Sequence, residues 1–176
     1  MRAPTWPGAA GRPSGWRQRA INGVPSNPNY NPGVRRPWTI EVLDVRLGNP
    51  DREHLRGFNI DAPQAGTRSD GNQITVVGWA VGKKSRVAAV EVMSGDEVAA
   101  RAPVEIERAG VARAYAEAPG SKAAGFRLTL AAEGKGEDEL VLMSVLEDGT
   151  RIPLGAVRVK LWRRGLLPSR RRSRAE

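Results

Sequence analysis

Between residues 69 and 161 apolar side chains alternate with polar ones in short stretches, each closed by turn-forming residues. The clearest stretch is 125–131, where Phe126, Leu128 and Leu130 alternate with Arg127 and Thr129. A period of two sends successive side chains to opposite faces of a strand, so this segment reads as a half-buried strand. Residues 73–81, 86–93, 97–106, 140–146 and 151–161 predict further strands. Ser69-Asp70-Gly71-Asn72, Ser94-Gly95-Asp96 and Asp148-Gly149 separate them, because glycine and aspartate tolerate the backbone of tight turns. Pro103 lacks an N–H donor and marks an edge or a bulge. Residues 111–117 allow at most a helical turn, closed by Pro119-Gly120. Crossover helices of a dozen or so residues, which a parallel sheet needs, have no room here. The expected fold is all-β: an antiparallel β-sandwich of about seven strands.

Outside that region the pattern changes. Residues 38–47 read as one more strand, broken by Asn49-Pro50-Asp51, and the pattern leaves open whether it joins the sandwich. The charged run 51–56 reads as a connector. Residues 1–36 hold many Pro, Gly and Asn, which oppose both helix and strand, so a disordered arm is expected there. Trp6, Trp16 and Tyr30 are its aromatic exceptions. The expected organisation is an arm over 1–36, a strand and charged connector over 37–56, the sandwich over 57–161 and an arginine-rich tail over 162–176.

Charge sharpens this division. The first forty residues carry six arginines and no acid, and the last fifteen carry six arginines and one glutamate. Twelve positive charges less one exceed the total of +9, so the middle is slightly acidic at −2. A nearly neutral globule with basic ends is the result. The tail arginines Arg163, Arg164, Arg170, Arg171, Arg172 and Arg174 suit an anionic partner, either nucleic acid or an anionic membrane surface. Trp162, Leu166 and Leu167 beside them favour a membrane surface or a protein groove over duplex DNA. A solubilising tail without a dedicated partner is the simpler alternative.

Several residues of the middle also occur in a familiar order: Gly78-Trp79-Ala80, then Arg108 with Val111 and Tyr115, then Gly125-Phe126, then Asp148-Gly149 and a closing Val157-Arg158-Val159. Over about 58–161 this resembles the immunoglobulin-like module of bacterial carbohydrate-active proteins, commonly found beside glycosyltransferase domains. The family's Arg-Pro-Asp-Val turn stands here as Arg108-Ala109-Gly110-Val111, without its proline and aspartate. If that aspartate pairs with the arginine in the family, Arg108 is left without the partner here. The resemblance implies an immunoglobulin-like sandwich with an accessory role: sugar contact, positioning or assembly, with a glycosyltransferase as a protein partner. A shared fold does not by itself fix a function.

Candidate chemistry is sparse. The chain has no cysteine, which excludes disulfides, thiolate metal sites and a cysteine nucleophile, and which favours a cytoplasmic location. His54, the single histidine, lies in the charged connector and reads as solvated. One imidazole and no thiol predict no metal site and no cofactor. Glu133, Glu137, Asp138 and Glu139, interleaved with Gly134, Lys135 and Gly136, read as a solvated hairpin loop rather than a catalytic carboxylate pair. Trp79 is assigned to the core rather than to a sugar-stacking surface, and Phe126 likewise. Arg108, Arg113 and Tyr115 fall on a loop and are the candidate ligand contacts. No segment has the ~20 apolar residues of a membrane-spanning helix. The reading is a non-catalytic accessory or interaction module linked to surface-polysaccharide machinery, with a carbohydrate or protein partner. The alternative is a protein that associates with nucleic acid or anionic membrane through its arginine tails.

Overall fold

The computed structural model describes residues 16–18, 38–49, 51–132 and 135–163. In chain order their strands are β1 (Trp16–Gln18), β2 (Trp38–Leu47), β3 (Leu55–Ala62), β4 (Arg68–Asp70), β5 (Gln73–Gly82), β6 (Val87–Ser94), β7 (Glu97–Pro103), β8 (Gly125–Ala132), β9 (Gly136–Leu146) and β10 (Arg151–Arg163). A single short helix, α1 (Ala109–Ala114), and a 3-10 turn at Ser121–Ala123 complete the described elements. The strands form a four-stranded sheet, ordered β1-β8-β5-β3, and a six-stranded sheet, ordered β4-β2-β10-β9-β6-β7. Every described pairing is antiparallel. The fold is the all-β sandwich that the alternating pattern predicts, with ten strands among the described residues rather than about seven.

The inner faces follow from the period of two. β8 turns Phe126, Leu128 and Leu130 inward, all fully buried, and β10 turns in Ile152, Leu154, Val157, Val159 and Leu161. Opposing faces of this kind hide their apolar surface against each other, at roughly 25 cal/mol per Å² removed from water. In β5 the inward set is Ile74, Val76, Gly78 and Ala80. Gly78 pairs with Phe126 across the strands, and a Cβ there would lie 2.7 Å from the Phe126 ring. The phenyl ring fills the space that a side chain at 78 would take.

That parity corrects the assignment of Trp79. Counted by twos, Trp79 falls on the face opposite Ile74 and Val76, and it stands partly exposed on the outer side of the four-stranded sheet. Phe126 is in the core as expected.

Three further elements depart from the expectations. β3 opens with the buried Leu55, inside the run expected to be a charged connector, while β2, whose membership was open, lies between β4 and β10 within the larger sheet and so joins the sandwich. A strand also occurs within the arm: β1 pairs with β8 through Trp16, Arg17 and Gln18, and the Trp16 side chain is buried in the core. The rest of the arm lies outside the described residues. Finally, Glu137, Asp138 and Glu139 are strand residues of β9 rather than a hairpin loop. Their charge is met across the sheet. Glu137 faces Lys160 at 3.3 Å and Arg158 at 3.8 Å, Glu139 pairs with Arg46, and Asp138 accepts the Ser94 hydroxyl at 2.7 Å. Pro103 ends β7, which is an edge strand, as the missing donor requires.

Candidate functional site

Residues 104–124 carry the chain from β7 of the larger sheet to β8 of the smaller one. Backbone bonds fasten both ends: Val104 N–H donates to the Ala88 carbonyl, and Ile106 exchanges bonds with Gly125. Between them α1 begins after Arg108, and the Tyr115 N–H donates to the Val111 carbonyl at its end.

Two side chains clamp this crossover onto the outer face of the four-stranded sheet. Arg108 runs over Gly125, where an added Cβ would lie 3.0 Å from Nε, and its Nη2 donates to Asp61 Oδ2 at 2.8 Å. The same nitrogen reaches toward the Gly78 carbonyl at 3.5 Å. Asn59 Nδ2 donates to the other Asp61 oxygen at 2.7 Å, so both carboxylate oxygens are used. Tyr115 packs against Trp79, with ring centroids 5.7 Å apart and planes tilted by 43°, a geometry in which aromatic pairs attract. Gly57 makes room for it, since a Cβ there would lie 2.5 Å from the phenol oxygen. Asn59, Trp79 and Gly125 are in register across β3, β5 and β8, so the clamp spans one row of the sheet.

Arg108 is therefore not left without an acidic partner. The carboxylate comes from β3 instead of from the turn itself. Of the three candidate contacts, Arg108 and Tyr115 are brought to neighbouring positions on one face, joined through Trp79 and the strands beneath. Arg113 stands exposed on the last turn of α1, its Nε donating to the Ala109 carbonyl at 3.4 Å. No described hydrogen bond or ring contact joins it to the other two. Asp61, Asn59 and the outward Trp79 are the members that sequence reasoning missed. Parity along β5 carried the signal for Trp79. Nothing local signals Asp61.

No family model, curated protein or solved structure matches this chain. The site must be read from its own geometry.

Several other ionisable groups are tied into the sheets or their turns. Glu91 is buried and held by Arg101 at 3.1 Å and Arg151 at 3.0 Å. His54 lies in a turn with Nδ1 3.1 Å from Asp51 Oδ2, its side chain substantially exposed. Partial desolvation pushes the Asp51 carboxyl up, but the Glu53 and His54 backbone N–H groups and the His54 ring outweigh it and hold it below the ordinary aspartate value of 3.8. Among the described residues no group of three or more metal-ligating side chains occurs, and no helix is long and apolar enough to cross a membrane. Arg163 ends β10 in an exposed position, while Arg164, Arg170, Arg171, Arg172 and Arg174 lie outside the described residues.

Proposed function

We propose that this chain is a non-catalytic interaction module, an immunoglobulin-like sandwich that serves carbohydrate-active machinery in the cytoplasm through the outer face of its four-stranded sheet. The observation that carries the reading is the Trp79–Tyr115 ring pair set beside the Arg108–Asp61 ion pair on one rigid row of strands. Aromatic faces pack against the C–H faces of sugar rings, while a guanidinium and a carboxylate bond the hydroxyls around them. Strands supply the platform and the clamped crossover supplies the rim, which is the division between scaffold and binding loop that recognition modules use. Two arrangements support the absence of catalysis: His54 pairs with a carboxylate three residues away in a solvated turn, and the Glu137 and Glu139 carboxylates are taken by cations across the sheet.

Titration of the labelled protein with a panel of glycans tests this, read by the Trp79 indole N–H and the backbone amides of residues 106–116 in NMR spectra. Binding should shift those signals, and Arg113→Ala and Tyr115→Ala should each weaken it about tenfold with folding intact, equivalent to about 1.4 kcal/mol. Silence of the face across the whole panel contradicts the reading.

A further inference from the structure

The geometry points to a second ligand site: the cleft at the open mouth of the sandwich, between β3–β5 and β2–β4, is a pocket for a neutral sugar ring. The inference rests on the carbohydrate reading above but puts a sugar unit on the other side of Asp61.

The cleft has a volume of about 420 Å³, within the size range of small-molecule sites. Its floor is aliphatic, made by Ile40, Val42 and Ile74 where the two sheets part. Gln64, Thr67, Ser69 and Gln73 stand around the rim. The loop that closes it is fixed in place rather than draped. Gly66 N–H donates to the Val42 carbonyl at 2.8 Å, Val42 N–H donates to the Thr67 carbonyl at 2.8 Å, and Thr67 N–H donates to the Gln64 carbonyl at 3.1 Å. These bonds hold residues 64–67 against β2 and set the width of the mouth before any ligand arrives. Preformed width spares a ligand the cost of ordering the loop.

The chemistry of the rim selects the ligand class. Hydroxyls and carboxamides both donate and accept, as sugar hydroxyls do, and among the described residues the side chains of Gln64, Thr67, Ser69 and Gln73 have no hydrogen-bond partner. The one ionisable lining residue, Asp61, has its charge met by Arg108 on the outer face. The cleft therefore offers no cation to an anionic ligand and no unmatched carboxylate to a cation. An apolar floor with amphoteric edges fits a ring that is apolar on its face and hydroxylated at its rim.

The test uses the full chain, with glucose, galactose, mannose and N-acetylglucosamine as probes at millimolar concentration and sulfate as the charged control. A neutral sugar should shift the backbone amides of Gln64, Thr67 and Ser69 and the side-chain amides of Gln64 and Gln73, while sulfate should not. The double variant Ser69→Ala/Gln73→Ala should weaken that response about tenfold at an unchanged thermal midpoint, since both positions lie at the rim. The inference is overturned if no sugar moves these signals, if the double variant responds like the parent, or if sulfate moves them equally. Shifts confined to Trp79 and Tyr115 overturn it while leaving the proposed function standing. Shifts confined to the cleft support it and count against the outer-face reading.

Discussion

Arg108 and Asp61 stand 47 residues apart in the chain and meet at 2.8 Å on the outer face of the four-stranded sheet. Each side chain is 31% exposed, so the pair is neither fully wet nor fully desolvated. It joins the crossover between the sheets to β3, an edge strand, and it does so beside the Trp79–Tyr115 contact.

A double-mutant cycle measures this link. Arg108→Ala and Asp61→Ala should couple by about 1 kcal/mol in urea denaturation, a value reduced from that of a buried pair by solvent screening. Additive effects of the two substitutions would show that the crossover is held by other contacts.

Trp79 and Phe126 are both large aromatics on neighbouring strands, yet they should respond differently to truncation. Phe126→Ala removes a fully buried ring and should cost about 3–5 kcal/mol. Trp79→Ala removes an outward ring and one aromatic contact, and should cost about 1–2 kcal/mol. Equal losses would return Trp79 to the core.

Gly78→Ala tests the fit beneath that pair. The new methyl would press on the Phe126 ring and on the Asn59 carbonyl, which belongs to the paired strand and has little freedom to retreat. Overpacking of this kind costs about 1–3 kcal/mol. Gly110→Ala, where a Cβ meets nothing within 4 Å, is the control and should not destabilise α1. A Gly78→Ala protein as stable as the parent would mean that Phe126 has room to move.

Glu91 offers an asymmetric test. Its side chain is 2% exposed, whereas its partners Arg101 and Arg151 are 56% and 58% exposed. Replacing both arginines by alanine strands a buried carboxylate and should cost about 3 kcal/mol. Glu91→Met removes the buried charge and leaves two arginines that are each more than half exposed, so it should cost less than the double substitution. The reverse order of stabilities would argue that the carboxylate is hydrated.

Acid unfolding should carry the signature of two turn aspartates. Asp51 is held below 3.8 as described, and Asp148 is held below it mainly by the Thr150 backbone N–H at 2.9 Å, with help from the Thr150 hydroxyl. Around and below 3.8 the unfolded chain then binds more protons than the folded one, so stability rises with pH in that window. The contribution is present above 3.8 and disappears as the pH falls through the lower folded values. Between about pH 5 and about pH 2 the urea midpoint should drop, and Asp51→Asn/Asp148→Asn should flatten that drop. Parallel curves for parent and variant would place the acid sensitivity elsewhere.

Much of the sandwich was legible because strand formation and turning are local. The alternation in β8 and the Gly95 and Gly149 turns declare themselves within a few residues, and the structure bears them out. β3 was not legible, because Leu55 and Arg56 fall at the end of the charged run and Asn59 and Asp61 break the apolar pattern after it; its strand state depends on pairing with β5. The acidic start of β9 was misread for the same reason, since the cations that make it tolerable sit on β2 and β10. β1 is the extreme case: three residues in a Pro- and Gly-rich arm pair because β8 offers an edge and the interior takes Trp16.

The chain itself determined its period, its turns and its lack of thiols and paired imidazoles, since each is a property of residues close together or of composition. Tertiary structure decided which way Trp79 points, which acid Arg108 meets and where the two sheets part to leave a cleft. Those outcomes depend on register between strands far apart in sequence, and a shift of one residue would move every such side chain to the opposite face.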